Sequence, residues 1–546
     1  FITNRKGTLT LADEEVQFNF AADHKAYVPY INDMRDGERY TYSFESYYDE
    51  IPLSRIKEDS LAIVPLLVDL EDGKKVAIMD GGTEDYPGMF LVRNTAVAHG
   101  LKATFAPYPT EGIYAGYQGL NFIATRRADY IAQTTGKREF PWRAMVISAR
   151  DIDLANNDMA QKLAQPCRIE DTSWIKPGKV AWDWWNTTNI TGVDFRAGMN
   201  TPTYKYFIDF ASANGLEYII IDAGWSITDA GWNAKTLMQS IPDIDVKELV
   251  NYGRTKNVGV ILWASWALTD AEKDTAFAYY AEMGVKGFKV DFLDSDDQKM
   301  MRSMYAIAQA AADHKLLLDL HGMKANGIQR TYPNIVNFEG VKGLENCKWT
   351  PIVNGRIRDD IPRYDVTIPF TRMLAGPLDY TPGAMNNATR ATFHSVNNHP
   401  MSMGTRVHQM AMYTVYEAPL QMLSDSPTAY MREQECTDFI AAVPTTFDET
   451  VVLDGKVAEY ILMARRKDNV WFVGAMTNWT PRDLTIDFSF LPSGTYQAEV
   501  FRDGINADQE ATDYKKEIIR VSPSDKRQIR MYPGGGWTAR ITPINL

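Results

Sequence analysis

The middle of the chain places a carboxylate just past one short apolar run after another. Asp183 stands in Trp182-Asp183-Trp184-Trp185-Asn186, Asp222 in Asp222-Ala223-Gly224-Trp225, Asp291 in Lys289-Val290-Asp291-Phe292, and Asp319 in Asp319-Leu320-His321-Gly322. Glu339 follows Asn337-Phe338, Glu345 comes six residues later, and Asp379 precedes Tyr380. Indoles accompany them, including Trp263-Ala264-Ser265-Trp266. Carboxylates accept hydrogen bonds from hydroxyls and aromatic faces lie against apolar C–H faces, so the mixture suits a neutral carbohydrate. Two carboxyl groups flanking a glycosidic bond can cleave it: one protonates the leaving oxygen, and the other attacks the anomeric carbon or activates water. Asp291 and Glu345 are the candidate pair. No His-rich two-metal arrangement is present, which disfavours a metal-dependent phosphohydrolase.

Each residue also has an ordinary structural reading. Asp291, followed by Asp294, Asp296 and Asp297, could cap the next helix, and Asp294 is its main competitor for a chemical role. Glu339 and Glu345 could be solvated loop charges. His321 could be a packed histidine, and Trp184 and Trp263 read more readily as core than as a sugar platform.

The elements that would position these residues are short apolar strands separated by helical stretches, the βαβα pattern of a parallel α/β fold. Expected strands are Val180–Trp184, Tyr218–Ile221, Val258–Trp263, Gly287–Phe292, Leu316–Leu320 and Ile335–Phe338, with weaker ones near Leu378–Tyr380 and Ala418–Leu423. Eight strand–helix units in about 260 residues have the size of a (β/α)8 barrel, whose active site lies at the C-terminal ends of its strands. A doubly wound sheet is the alternative, but no Gly-rich phosphate loop follows the first strand. Before the barrel, runs such as Leu61–Val68, Val76–Met79 and Ala144–Ser148 alternate with turn signals, as in a β-sandwich; after it, Glu459–Ala464, Val470–Ala475, Leu484–Phe490 and Gln497–Phe501 mark a second all-β region. The expected domains are 1–172, 173–443 and 444–546.

The net charge of −13, from 70 acidic against 57 basic residues, argues against a nucleic-acid or anionic-membrane binder. The apolar run Val258–Leu268 is about half of the roughly 20 residues a membrane-spanning helix needs. Cys167, Cys347 and Cys436 lie far apart, so free thiols are expected rather than a disulfide framework or a CxxC metal site. The chain opens at Phe1 with no basic-then-apolar leader, so an export signal is expected to be absent already.

The segments KPGKVAWDWWN (176–186), IIIDAGW (219–225), GFKVDF (287–292), LLLDLHGMKANGIQRTYPNIVNFEGVKGLEN (316–346) and VPTTFDETVVLDGKVAEYILMARR (443–466) together resemble glycoside hydrolase family 97. The resemblance runs over nearly the whole chain. It implies an N-terminal β-supersandwich, a catalytic (β/α)8 barrel, a C-terminal β-domain, and hydrolysis of α-glucosides or α-galactosides with calcium near the catalytic acid. Against the family's usual size the sandwich is short, so its first strands are expected to lie outside this chain.

In the family's inverting branch, base carboxylates follow the third and fifth strands and the fourth-strand carboxylate is absent. Here the third strand ends in Trp263-Ala264-Ser265-Trp266, the fifth carries His321-Gly322 where that branch has His-Glu, and the fourth supplies Asp291. The chain thus resembles the retaining branch. By this likeness Asp291 is the nucleophile, Glu345 the general acid/base and Glu339 a calcium ligand. Lys289 and His321 match sugar-contacting positions, with Asp183, Asp222 and Trp225 expected at the same rim. The sandwich segment FESYYDEIPL (44–53) should complete the calcium shell, Glu45 first and Glu50 second, with Asn346 a weaker contributor.

The expectation is a retaining exo-acting α-galactosidase, periplasmic or secreted, acting on α-linked oligosaccharides or galactosides. The rivals are an α-glucosidase or α-arabinopyranosidase of the same fold, and a carbohydrate-binding homologue that has lost catalysis. Oligomeric state is not readable from the sequence.

Overall fold

The computed structural model describes residues 1–228, 234–353, 356–357 and 359–544. The first part is a β-sandwich. A five-stranded antiparallel sheet runs in the order Trp142–Ser148, Lys75–Gly81, Leu66–Asp69, Lys25–Val28, Asp49–Pro52. It shares a core of Phe18, Val28, Val68, Ile78, Leu91 and Leu101 with a three-stranded sheet of Gln17–Asn19, Gly100–Thr104 and Phe90–Asn94. The stretch expected as one strand from Leu61 is a strand only over Leu66–Asp69.

The centre is a parallel barrel. Strands Gly178–Ala181, Tyr218–Ile221, Gly259–Ser265, Gly287–Asp291, Leu317–Leu320 and Ile335–Phe338 pair in sequence order, and Leu420–Leu423 closes onto the first. Among the described residues seven strands form, not the expected eight. The missing position is filled by Leu378–Tyr380: Asp379 donates its N–H to Phe338 O at 2.7 Å and Leu378 to Glu417 O at 2.9 Å. Pro377 and Pro382 bound this stretch, and proline cannot donate to a ladder, so the wall stays closed without a regular strand.

Strand register stacks the barrel interior in layers. Trp263, Lys289, Asp319 and Asn337 are successive partners across four strands, with Ser265 opposite Asp291 one step higher. Lys289 and Asp291 are two residues apart and share the inner face, while Phe288 and Val290 are fully buried on the other face. The following helix, Gln298–Asp313, is capped by Asp297, which accepts from Met300 N at 3.0 Å. Asp291 is therefore not the cap.

The sandwich sits against the C-terminal ends of the strands. Tyr42 N–H donates to Asp294 O at 2.7 Å and Gly88 N–H to Asp296 O at 2.8 Å, and Arg127 pairs with Asp297 at 3.2 Å. On another side, helix Arg406–Val415 packs against an antiparallel six-stranded sheet spanning Glu449 to Pro543, and Thr405 donates to Asp503 at 2.7 Å. Cys167, Cys347 and Cys436 are free thiols. Among the described residues no helix is long and apolar enough to cross a membrane.

Candidate active site

A cavity of about 1090 Å³ opens where the barrel mouth meets the sandwich, and Asp222, Trp263, Lys289, Asp291, Glu339 and Glu345 line it together with Glu45 and Tyr117. A groove of about 620 Å³ on the C-terminal domain shares none of these residues.

Asp291 ends its strand with both oxygens engaged. Phe292 donates its N–H to Oδ1 at 2.7 Å, and the Trp263 indole N–H points at Oδ2 from 3.2 Å. Trp263 is buried, as expected, yet its polar edge belongs to the site. Burial raises the Asp291 pKa, while the charge of His321 works in the other direction.

His321 follows the fifth barrel strand and faces carboxylates with both ring nitrogens. Nδ1 lies 3.2 Å from Glu339 Oε1; Nε2 lies 2.8 Å from Asp379 Oδ2 and 3.3 Å from Asp319 Oδ2. Burial opposes the imidazolium, but Glu339 and Asp319 outweigh it and push the His321 pKa well up. It is buried behind the cavity lining and joins Glu339 to Asp379 and Asp319. Its charge in turn holds Glu339 low against the effect of burial, with a further bond from Gly322 N–H to Glu339 Oε2 at 3.0 Å.

Glu345 stands in the turn Leu344–Lys348. Burial first, then the charges of Glu339 and Glu45, drive its pKa far above the usual carboxylate range. Glu45, which reaches in from the sandwich, is raised to about 7 by burial and by Glu339. One oxygen from each of Glu45, Glu339 and Glu345 lies within 4.8 Å of the others, and one from Glu339 is equally close to a carboxylate oxygen of Asp291 and a ring nitrogen of His321. Asn346 donates to Glu45 at 3.2 Å. Such a convergence of hard oxygen donors fits a calcium ion.

Lys289 donates to Asp222 Oδ2 at 2.8 Å, where Trp182 Nε1 also donates at 2.7 Å. Although burial opposes it, Asp222 and Asp291 hold Lys289 firmly protonated. Asp183 lies beside Asp222, bonded to the Tyr204 hydroxyl, and burial with the Asp222 charge raises it to about 7. It does not line the cavity; it supports the residues that do.

Two expected residues are placed elsewhere. Trp225 is fully buried, donates to Trp263 O at 2.8 Å and packs edge-on against Tyr280; the chain turns at Gly224, φ +110°, and carries the indole away from the mouth. Glu50 sits on the sandwich strand Asp49–Pro52, paired with Lys25 at 2.7 Å and with Arg363, outside the carboxylate cluster.

Others were missed or undervalued. Trp184 lines the cavity, stacked on Trp182 and edge-on to Trp349. Asp294 also lines it, but points to Arg35 at 3.5 Å and to Asn121 of the sandwich. Arg35 carries no spacing signal of its own, and Asp379, although placed at an expected strand end, gives no sign in the sequence of its partner His321.

A barrel mouth floored by Lys289 and Asp222, with one clamped carboxylate and one driven to keep its proton, is the equipment of an enzyme that cleaves glycosides. Comparison with known proteins agrees. The chain matches the family model "Glycoside hydrolase 97" over residues 182–341, its N-terminal domain model over 1–166, and its C-terminal model, described as "oligomerisation", over 446–542. It is 46% identical to a retaining alpha-galactosidase of Bacteroides thetaiotaomicron (strain VPI-5482), over 99% of this chain and 81% of that protein. It is 30% identical to a probable retaining alpha-galactosidase of Streptomyces bingchenggensis (strain BCW-1), over 68% of this chain and 54% of that one. The solved structure of a family 97 enzyme with acarbose from Pseudoalteromonas sp. strain K8 superposes with a TM-score of 0.84 at 26% identity, covering 98% of this chain and 82% of that one. The chain belongs to glycoside hydrolase family 97.

Proposed function

We propose that this enzyme is a retaining α-galactosidase that removes terminal α-linked galactose. The observation that carries the mechanism is the contrast between two half-buried carboxyls in one cavity. Asp291 is held by the Phe292 and Trp263 N–H groups, and Glu345 is pushed towards its protonated form. The galactoside preference is supported by the two alpha-galactosidase relatives. Exo-action belongs to the same reading and is supported by the family resemblance.

In the first step an Asp291 oxygen bonds to the anomeric carbon as the glycosidic C–O bond breaks, and Glu345 gives its proton to the departing oxygen. In the second, Glu345 takes a proton from water, the water oxygen bonds to the anomeric carbon, and Asp291 leaves. Two inversions retain the α configuration. Lys289 and His321, both cationic, keep the Asp291 side of the cavity favourable to an anion.

Glu45 and Glu339 would hold calcium, with Asn346 and the acid/base Glu345 beside them. The ion, when bound, supplies fixed positive charge next to the acid/base. That charge would lower the Glu345 pKa, and the anionic neighbours Glu339 and Glu45 work against this. The reading carries with it a periplasmic or secreted location, supported by the family resemblance.

Proton NMR of p-nitrophenyl α-galactoside and α-glucoside in calcium buffer tests the reading. α-Galactose as the first product is expected; β-galactose would mean inversion and remove Asp291 from its role, and preferred turnover of the glucoside would overturn the substrate. Asp291→Ala should be inactive and yield β-galactosyl azide when azide is added.

A further inference from the structure

Phe292, the residue after Asp291, has φ +66°. A bulky side chain in the left-handed region is strained and persists only where its surroundings impose it. In this conformation the Phe292 N–H reaches Asp291 Oδ1 at 2.7 Å. Two rings bracket its side chain. Trp263 meets it edge-on, with ring centres 6.4 Å apart and planes at 81°; Tyr117 stacks nearly parallel, at 6.1 Å and 13°.

Tyr117 belongs to the sandwich, not the barrel. It opens the turn Tyr117–Gly119 between strands Pro109–Ala115 and Asn121–Arg127. The turn is fastened where it meets the barrel: Tyr117 N–H donates to Asn121 Oδ1 at 2.8 Å, and the amide of Asn121 donates to Asp294, two residues past Phe292. Gly116 N–H donates to Asp36 at 2.8 Å.

We propose that Tyr117 is a positioning residue for the nucleophile. By covering the Phe292 ring it keeps that residue in its left-handed conformation, so that the Phe292 N–H and the Trp263 indole N–H together aim the Asp291 carboxylate at the anomeric carbon. Removing the Tyr117 ring lets the Asp291–Phe292 peptide plane turn, which takes Phe292 to negative φ, swings its N–H off Oδ1 and loosens Trp263. This rests on the reading of Asp291 as nucleophile.

The test is covalent labelling by a ring-fluorinated α-galactosyl fluoride, in which the Asp291 O–C bond forms as the C–F bond breaks and fluoride leaves with the electron pair. The adduct is mapped by peptide mass spectrometry. In the unaltered enzyme it should fall on Asp291; an adduct on another residue would overturn the nucleophile reading itself. With the adduct on Asp291, Tyr117→Ala should label about 10–100-fold more slowly, with little change in the concentration that half-saturates labelling, and Tyr117→Phe should restore most of the rate. Labelling of Tyr117→Ala at the unaltered rate would overturn the positioning role.

Tyr114→Ala separates the stack from the hairpin as a whole, because Tyr114 is 55% exposed and packs on Phe122 instead. It should label normally, and a loss equal to that of Tyr117→Ala would overturn the inference. In a Phe292→Ala background the further effect of Tyr117→Ala should shrink towards nothing; an undiminished effect there would mean that Tyr117 does not act through Phe292. Tyr117 is 45% exposed, so its truncation leaves the buried core intact.

Discussion

The indole N–H of Trp263 points at Asp291 Oδ2 from 3.2 Å, across two neighbouring strands of the barrel. A donor on that oxygen favours the ionised carboxylate and opposes the rise that burial causes. Trp263→Phe keeps the ring and removes the donor. A hydrogen bond to a charged group contributes about 1.5–3 kcal/mol, so kcat should fall roughly 10- to 100-fold. The Asp291 pKa should rise, which moves the acid limb of the kcat/KM profile to higher pH. Steady-state kinetics over a pH series check both.

On the proposed mechanism Glu345 sets the basic limb. Its pKa is raised, so it is protonated at low pH and loses its proton as pH rises, and turnover of galactosides with poor leaving groups should decline through that titration. Glu345→Gln should cost at least about 100-fold on such substrates. A dinitrophenyl galactoside needs no proton donor to depart; its bond cleavage should proceed in the variant, with the basic limb missing. An unchanged basic limb in Glu345→Gln would assign that limb to another group.

Chelation should lower both activity and thermal stability. A ligand that binds only the folded state at 100 times its Kd adds about 2.7 kcal/mol, so the midpoint of melting should drop on chelation and recover with added calcium. Magnesium, which demands tighter octahedral geometry, should restore less. Glu45→Gln should weaken calcium recovery, whereas Glu50→Gln should not, because Glu50 is engaged by Lys25 and Arg363. Calorimetric melts of the three proteins decide this.

Gly322 is the tightest backbone position of the site. Its φ is +71°, and an added Cβ would lie 2.2 Å from Asp294 Oδ1 and 3.0 Å from Leu293 N. Its own N–H holds Glu339. Gly322→Ala should therefore displace His321 and Glu339 together and lower kcat by about 100-fold, with a cost of about 1–3 kcal/mol in stability from overpacking. A crystal structure and a melting curve of the variant would show whether the two effects occur together.

The barrel was legible because its strands are apolar runs that end in polar residues, and a period that short survives in the sequence. The same logic picked out Asp291, Lys289 and His321, whose places follow from being at strand ends. It failed where partners are distant along the chain. Asp379 pairs with His321, a partner that its own strand end does not announce, and Arg35 and Tyr117 come from another domain. Trp225 follows Asp222 as closely as a site residue should, and one glycine turn sends it into the core.

By itself the sequence determined the order of the architectures, the strand ends and the chemical identity of the groups there, because local patterning and side-chain chemistry require no neighbours. Only the tertiary structure decided how burial and neighbouring charges bear on Asp291 and Glu345, and which of Glu45 and Glu50 enters the cluster. Those outcomes depend on burial and on charges brought together from Glu45 to Asp379, and electrostatics acts through distance in space, not through separation along the chain.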